Sequence, residues 1–145
     1  IKLFNLSPFI GTGLVAQPRL SCLFTISSAQ LNRSEIRSME VLQITIRTRH
    51  DKRDELLRTC QLISDQTFQE SGCESSLTSQ KNADEDLISV EQRWDHRSSL
   101  NNYFRSDHFT ALLGAMKWLG QSYVIQINGG THEEGMKIVS YERGL

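Results

Sequence analysis

From Glu40 to Asn128 the apolar side chains follow two periods in turn, and the order of those periods leaves few folds open. Residues 40–49, EVLQITIRTR, alternate without a slip. Leu42, Ile44 and Ile46 point to one face, and Val41, Gln43, Thr45 and Arg47 to the other. Successive side chains of an extended chain face opposite ways, so this is a half-buried strand. Its second face mixes Val and Thr with Gln and Arg, which suits a sheet that meets another sheet or lines a cavity. The period then lengthens. Leu56, Cys60, Ile63 and Thr67 recur at steps of 4, 3 and 4, the stripe of an amphipathic helix. Asp51 is its expected N-cap, with acids in the first turn, and Gly72 suits the left-handed position just past its end.

Cys73 to Gln80 and Leu87 to Trp94 read as strands joined by a polar turn, an antiparallel hairpin. Ile88, Val90, Gln92 and Trp94 share one face of the second. Ser98 to Leu119 reads as helix in two segments, one carrying Leu100, Tyr103 and Phe104, the other Phe109, Leu112, Leu113, Met116 and Leu119. Residues 122–128, SYVIQIN, form a fourth strand that Gly129-Gly130 breaks. The order β-α-β-β-α-β is the ferredoxin-like arrangement of an α+β fold. Both helices then cover one face of the sheet. The simplest cover for the other face is a second copy, so a homodimer with the two sheets face to face, a dimeric α+β barrel, is the expected assembly.

The 145 residues make one domain with a real core, too few for two ordinary ones. Residues 1–38 stand apart, with both prolines, a Ser/Thr-rich run and four basic residues against Glu35. They read as an extension outside the core fold, with a targeting segment or an N-terminal arm as alternatives. Residues 39–130 are the expected domain, and residues 131–145 a tail that forms a short strand or an arm touching a dimer partner. The remainder after residue 38 is mildly acidic and carries no basic stripe, which argues against nucleic acid. No apolar run approaches the roughly 18–20 residues of a membrane span. Cys22, Cys60 and Cys73 follow no metal-ligand spacing, and free thiols in a reducing, cytoplasmic setting are expected. Four scattered histidines without a carboxylate at ligand spacing make no metal site. No nucleotide-binding glycine loop and no nucleophile elbow occurs.

Four features in order carry a resemblance: the opening strand, Ser71-Gly72-Cys73 after the first helix, Glu91-x-x-Trp94 at the end of the third strand, and Ser106-Asp107-His108-Phe109. Over residues 39–128 the chain resembles the antibiotic biosynthesis monooxygenase (ABM) family, a dimeric α+β barrel group that includes quinol monooxygenases. Two departures stand out. Tyr103 occupies a position where the family often has His, and one extra residue separates Glu91 from Trp94. The resemblance implies oxygenation of an electron-rich aromatic or quinol-type small molecule without metal or flavin, the substrate's own anion passing electrons to O2. The haem-degrading branch uses an Asn that this first strand lacks.

On that reading His108 is the candidate acid–base, because imidazole titrates near neutral pH. Its alternative is a role in capping the second helical segment. Tyr103 is the second catalytic candidate, its hydroxyl orienting a phenolic substrate or satisfying a buried partner. Trp94 walls the aromatic or quinone-like ligand's site or packs in the core, and Phe104, Phe109 and Ile44 complete the substrate-binding set. The alternative function is a non-catalytic dimeric module that binds a small molecule or serves a stress response on the same fold.

Overall fold

The structure, a computed structural model, describes residues 38–145; the expectations for the N-terminal extension and Cys22 lie outside the described residues. Strand β1 (Glu40–Thr48) leads through a 3-10 turn (His50–Lys52) into α1 (Arg53–Thr67). Then come β2 (Cys73–Lys81), β3 (Asp84–Trp94), α2 (Arg97–Phe104), α3 (Asp107–Leu119), β4 (Gly120–Ile127) and α4 (His132–Arg143). The sheet order is β2-β3-β1-β4, and every neighbouring pair is antiparallel. β1 and β2 therefore run the same way with β3 inserted between them, the split βαβ of a ferredoxin-like α+β fold.

The alternation in β1 sets the register. Ile44 lies beside Val90 on one side and Ile125 on the other, so three aliphatic side chains cross the sheet in one row. Leu42, Ile44, Ile46, Ile88, Val90 and Ile125 are sealed beneath α1 and α3, where Leu56, Cys60, Ile63, Leu112 and Met116 meet them. Each large aliphatic side chain buried this way stabilises the fold by about 1.5–3 kcal/mol. A polar tie adds direction: Thr78 Oγ1 donates to Cys60 O (3.2 Å) and lies 2.6 Å from Ser64 Oγ, holding α1 on β2. At one end of the sheet, Glu40 Oε2 accepts from Arg97 Nε (3.0 Å) and Asn128 Nδ2 (2.6 Å), while Asn128 Oδ1 accepts from Val41 N (2.8 Å). This network ties the starts of β1 and α2 to the end of β4, beside Trp94.

Two expectations change. Asp51 is not an N-cap: the chain enters α1 through the 3-10 turn, Asp51 lies within that turn, and Lys52 precedes the helix without a side-chain cap. Arg47 pairs within the chain with Asp84 (3.1 Å). The tail is neither strand nor free arm. It forms α4, started by a reciprocal cap in which Thr131 Oγ1 accepts from Glu134 N and Glu134 Oε2 accepts from Thr131 N. His132 Nδ1 accepts from Ile125 N (3.0 Å), and a Cβ on Gly135 would stand 2.6 Å from Ile125 O. α4 thus lies against the outer edge of β4, the terminal strand of the sheet. The sheet face away from the helices carries Val41, Gln43, Thr45, Leu77, Ser89, Glu91, Val124 and Gln126, with Leu77 66% and Val124 40% exposed.

Candidate active site

The turn after α1 positions the first part of the site. Glu70 N donates to Thr67 O (2.9 Å) and Cys73 N to Glu70 O (3.2 Å), so the chain folds back at once into β2. Gly72 permits this with φ +86°, and a Cβ there would collide with Ser99 and Asp95. Asp95 N donates to Gly72 O (2.9 Å), which binds the turn to the end of β3. Ser99 Oγ donates to Asp95 Oδ1 (2.7 Å), and this bond, with His96, holds the Asp95 carboxyl below its usual range. Cys73 becomes the cross-strand neighbour of Trp94.

Behind the turn lies an aromatic cluster. Trp94 and Tyr103 stack with centroids 4.9 Å apart and planes tilted by 32°. Phe109 meets Tyr103 edge-on at 5.2 Å and Phe104 at 5.0 Å. Such geometries suit the ring quadrupoles. All four rings are fully buried, and Ile44 shares the same core. From α4, Arg143 Nη1 donates to Phe104 O (2.8 Å) and its guanidinium stands 5.9 Å from the Phe109 centroid, which braces the α2–α3 corner.

A buried polar chain runs through the cluster. Gln92 Nε2 donates to the Tyr103 hydroxyl (3.0 Å), and Trp94 Nε1 donates to Gln92 Oε1 (3.3 Å). Thr67, also buried, brings its hydroxyl toward the Tyr103 phenol without completing a hydrogen bond. Burial pushes that phenol up to about 12, against the opposite pull of Gln92 and Thr67, so Tyr103 is a neutral hydroxyl at physiological pH. Burial likewise holds Cys60 at about 12. Cys73 stands at about 11, raised by burial, lowered by its bond to Ser75 O and raised again by the charge of Glu70. Neither thiol is a nucleophile near neutrality.

His108 stands apart from the sealed rings. It lies in the first turn of α3, whose cap is Ser106: Ser106 Oγ accepts from Phe109 N (3.2 Å) and donates to Tyr103 O (2.7 Å). The imidazole is bonded elsewhere, its Nδ1 2.6 Å from Glu70 Oε1, with the two side chains 38% and 30% exposed. Glu70 is the hub that sequence reasoning missed. It bonds His108, and its charge reaches both Tyr103 and Cys73. Gln92 and Thr67 were legible only as polar residues on apolar stripes. The structure therefore brings Trp94, Tyr103, Phe104, Phe109 and Ile44 into one core and sets His108 at its rim.

Among the described residues no group of three or more His, Cys, Asp and Glu side chains is placed to hold a metal ion, and no helix is long and apolar enough to cross a membrane. His50 and His96 pair with Asp86 (3.4 Å) and Asp95 (3.2 Å) near the surface. A groove of about 610 Å³ along α4, lined by His132, Met136, Tyr141 and Leu145 among others, includes none of the candidate residues.

The fold recurs in solved structures. A conserved protein of unknown function from Bacteroides thetaiotaomicron VPI-5482 superposes with a TM-score of 0.59 at 18% identity, covering 63% of this chain and 96% of that one. A conserved protein from Methanosarcina mazei Go1 gives 0.58 at 20% identity, covering 61% and 89%. A protein provisionally designated an antibiotic biosynthesis monooxygenase, from Deinococcus radiodurans, gives 0.59 at 18% identity, covering 63% and 91%. At these identities the likeness is one of fold. No curated protein matches the sequence significantly. The family model described as antibiotic biosynthesis monooxygenase matches residues 39–114, more than half of the chain and the whole of the segment from β1 through the Ser106–Phe109 corner, and the chain belongs to that family.

Proposed function

We propose that the chain is a homodimeric, cofactor-independent monooxygenase acting on a quinol-type or phenolic small molecule, with His108 as the base. The observation that carries this reading is the placement of His108: an imidazole, partly open to solvent and anchored by a carboxylate, at the rim of an aromatic core. Imidazole is suited to remove a phenolic proton near neutral pH. The substrate anion then delivers electrons to O2 and a C–O bond forms. For a hydroquinone, one oxygen atom ends on the ring, the other leaves as water, and the product is the hydroxyquinone, so the substrate supplies every electron. Trp94, Tyr103, Phe104, Phe109 and Ile44 form the aromatic side of the site. Because all four rings are sealed, a substrate reaches them only when part of the core moves aside.

The engagement of Tyr103 favours a second reading, a non-catalytic dimeric binding module: its hydroxyl is taken up by Gln92 and its ring stacks on Trp94, so it is not free to orient a phenolic substrate. Oxygen uptake with a panel of hydroquinones and phenols separates the two. The enzyme reading expects uptake that His108→Ala abolishes. Uptake that is absent across the panel, with saturable quenching of Trp fluorescence by the same compounds, selects the module.

A further inference from the structure

We infer that Glu70 is a positioning residue that holds His108 in one tautomer, Nδ1–H, and so leaves Nε2 as the nitrogen that takes the substrate proton. The inference rests on the reading of His108 as base. A carboxylate offers only acceptors, so the 2.6 Å contact requires the imidazole nitrogen to donate. A neutral imidazole whose Nδ1 carries the proton has its lone pair on Nε2, the other side of the ring.

Both ends of the contact are built to stay in place. Glu70 projects from a turn fixed by backbone bonds from Glu70 N to Thr67 O, Cys73 N to Glu70 O and Asp95 N to Gly72 O. Gly72 admits no side chain without shifting Asp95 or Ser99. His108 projects from the first turn of a helix whose start is held by Ser106, itself bonded to Tyr103 O.

The test uses the full chain, 15N-labelled, with long-range 1H–15N spectra of the imidazoles followed from about pH 6 to 9, so that the neutral form of each ring is read from its own spectrum. The sequence holds four histidines, and His108→Gln assigns the signal. Wild type should show the Nδ1–H form. Glu70→Ala should move His108 toward the Nε2–H form that free imidazole side chains prefer, whereas Glu70→Gln, whose Oε1 still accepts, should retain Nδ1–H. With a hydroquinone that wild type turns over, Glu70→Ala should lower kcat by about tenfold or more at little change in KM, in line with the contribution of a positioned general base, and Glu70→Gln should recover most of it. An Nε2–H signal in wild type overturns the inference without any variant, and so does an Nδ1–H signal that survives in Glu70→Ala. Absence of turnover by wild type defeats the monooxygenase reading instead, and leaves the tautomer result to decide the role of Glu70.

Discussion

Tyr103 shows how one side chain serves packing and electrostatics together. Its ring fills the space between Trp94 and Phe109, and its hydroxyl accepts the amide of Gln92 inside the core. Replacing it with Phe keeps the ring and leaves a buried Gln92 donor without its acceptor. The expected cost is about 1–3 kcal/mol, read from the urea midpoint at neutral pH. The same substitution has an alkaline signature. The phenol is raised from 10 to about 12 by burial, so the folded chain holds the proton over a window in which the unfolded chain has released it. Stability is full below about pH 10 and falls as pH rises toward about 12. Tyr103→Phe should therefore lose less stability than wild type between about pH 10 and 12, with Cys60, raised from 9 to about 12, and Cys73, raised from 9 to about 11, contributing the slope that remains. Equal slopes in thermal melts of the two chains would contradict the burial of the hydroxyl. At this scale the sequence was half legible. The apolar period placed Trp94, Phe104 and Phe109 together with Tyr103, because rings on a core stripe have to meet. Glu70 was invisible: it lies 38 residues from His108, at a helix end where a lone acid reads as solvated.

The elements were legible wherever an apolar period ran long enough, and α4 is the instructive failure. Its inward residues, Met136, Ile138 and Val139, are few, and Gly135 weakens the helical signal although the helix runs through it. A local signal was present in Thr131-x-x-Glu134, the spacing of a reciprocal cap. Gly135 itself looks like a weakness, since Ala is better than Gly inside a helix by about 1 kcal/mol. Here the order should reverse. A Cβ at Gly135 would meet Ile125 O at 2.6 Å and Ile125 Cγ2 at 3.3 Å, and backbone oxygen cannot step aside as a flexible side chain can. Gly135→Ala should lift α4 from the edge of β4 and lengthen the bond from Ile125 N to His132 Nδ1. The expected result is a loss of at least about 1 kcal/mol in urea unfolding, with faster amide exchange at Ile125 and unchanged exchange at Ile44. A gain in stability would mean that the helix is not seated as described.

For the whole molecule, the order of periods was sufficient to specify topology, because a split βαβ with two helices on one face leaves little choice of strand order. The same topology creates the unfinished surface. Thr45 sits at its middle, between Ser89 of β3 and Val124 of β4, with Leu77 exposed one strand beyond. The proposed homodimer covers that face with its own copy, and a stable interface of this kind buries roughly 1,200–2,000 Å² in all. Thr45→Arg tests this at the centre, where a cation would be buried without a designed partner. Its side chain points away from the helices, so the domain core is untouched and the far-UV circular dichroism should match wild type. Sedimentation at about micromolar concentration should show wild type as a dimer and Thr45→Arg as a folded monomer, because a desolvated, unpaired charge costs more than the contacts around it return. A wild-type monomer would sink the face-to-face assembly, and a Thr45→Arg dimer would place the interface elsewhere on the chain. The distinction bears on chemistry as well. His108 and Glu70 belong to the turn and helix layer, whereas Thr45 faces away from it, so a folded Thr45→Arg monomer that still consumes oxygen would show that each copy carries a complete site.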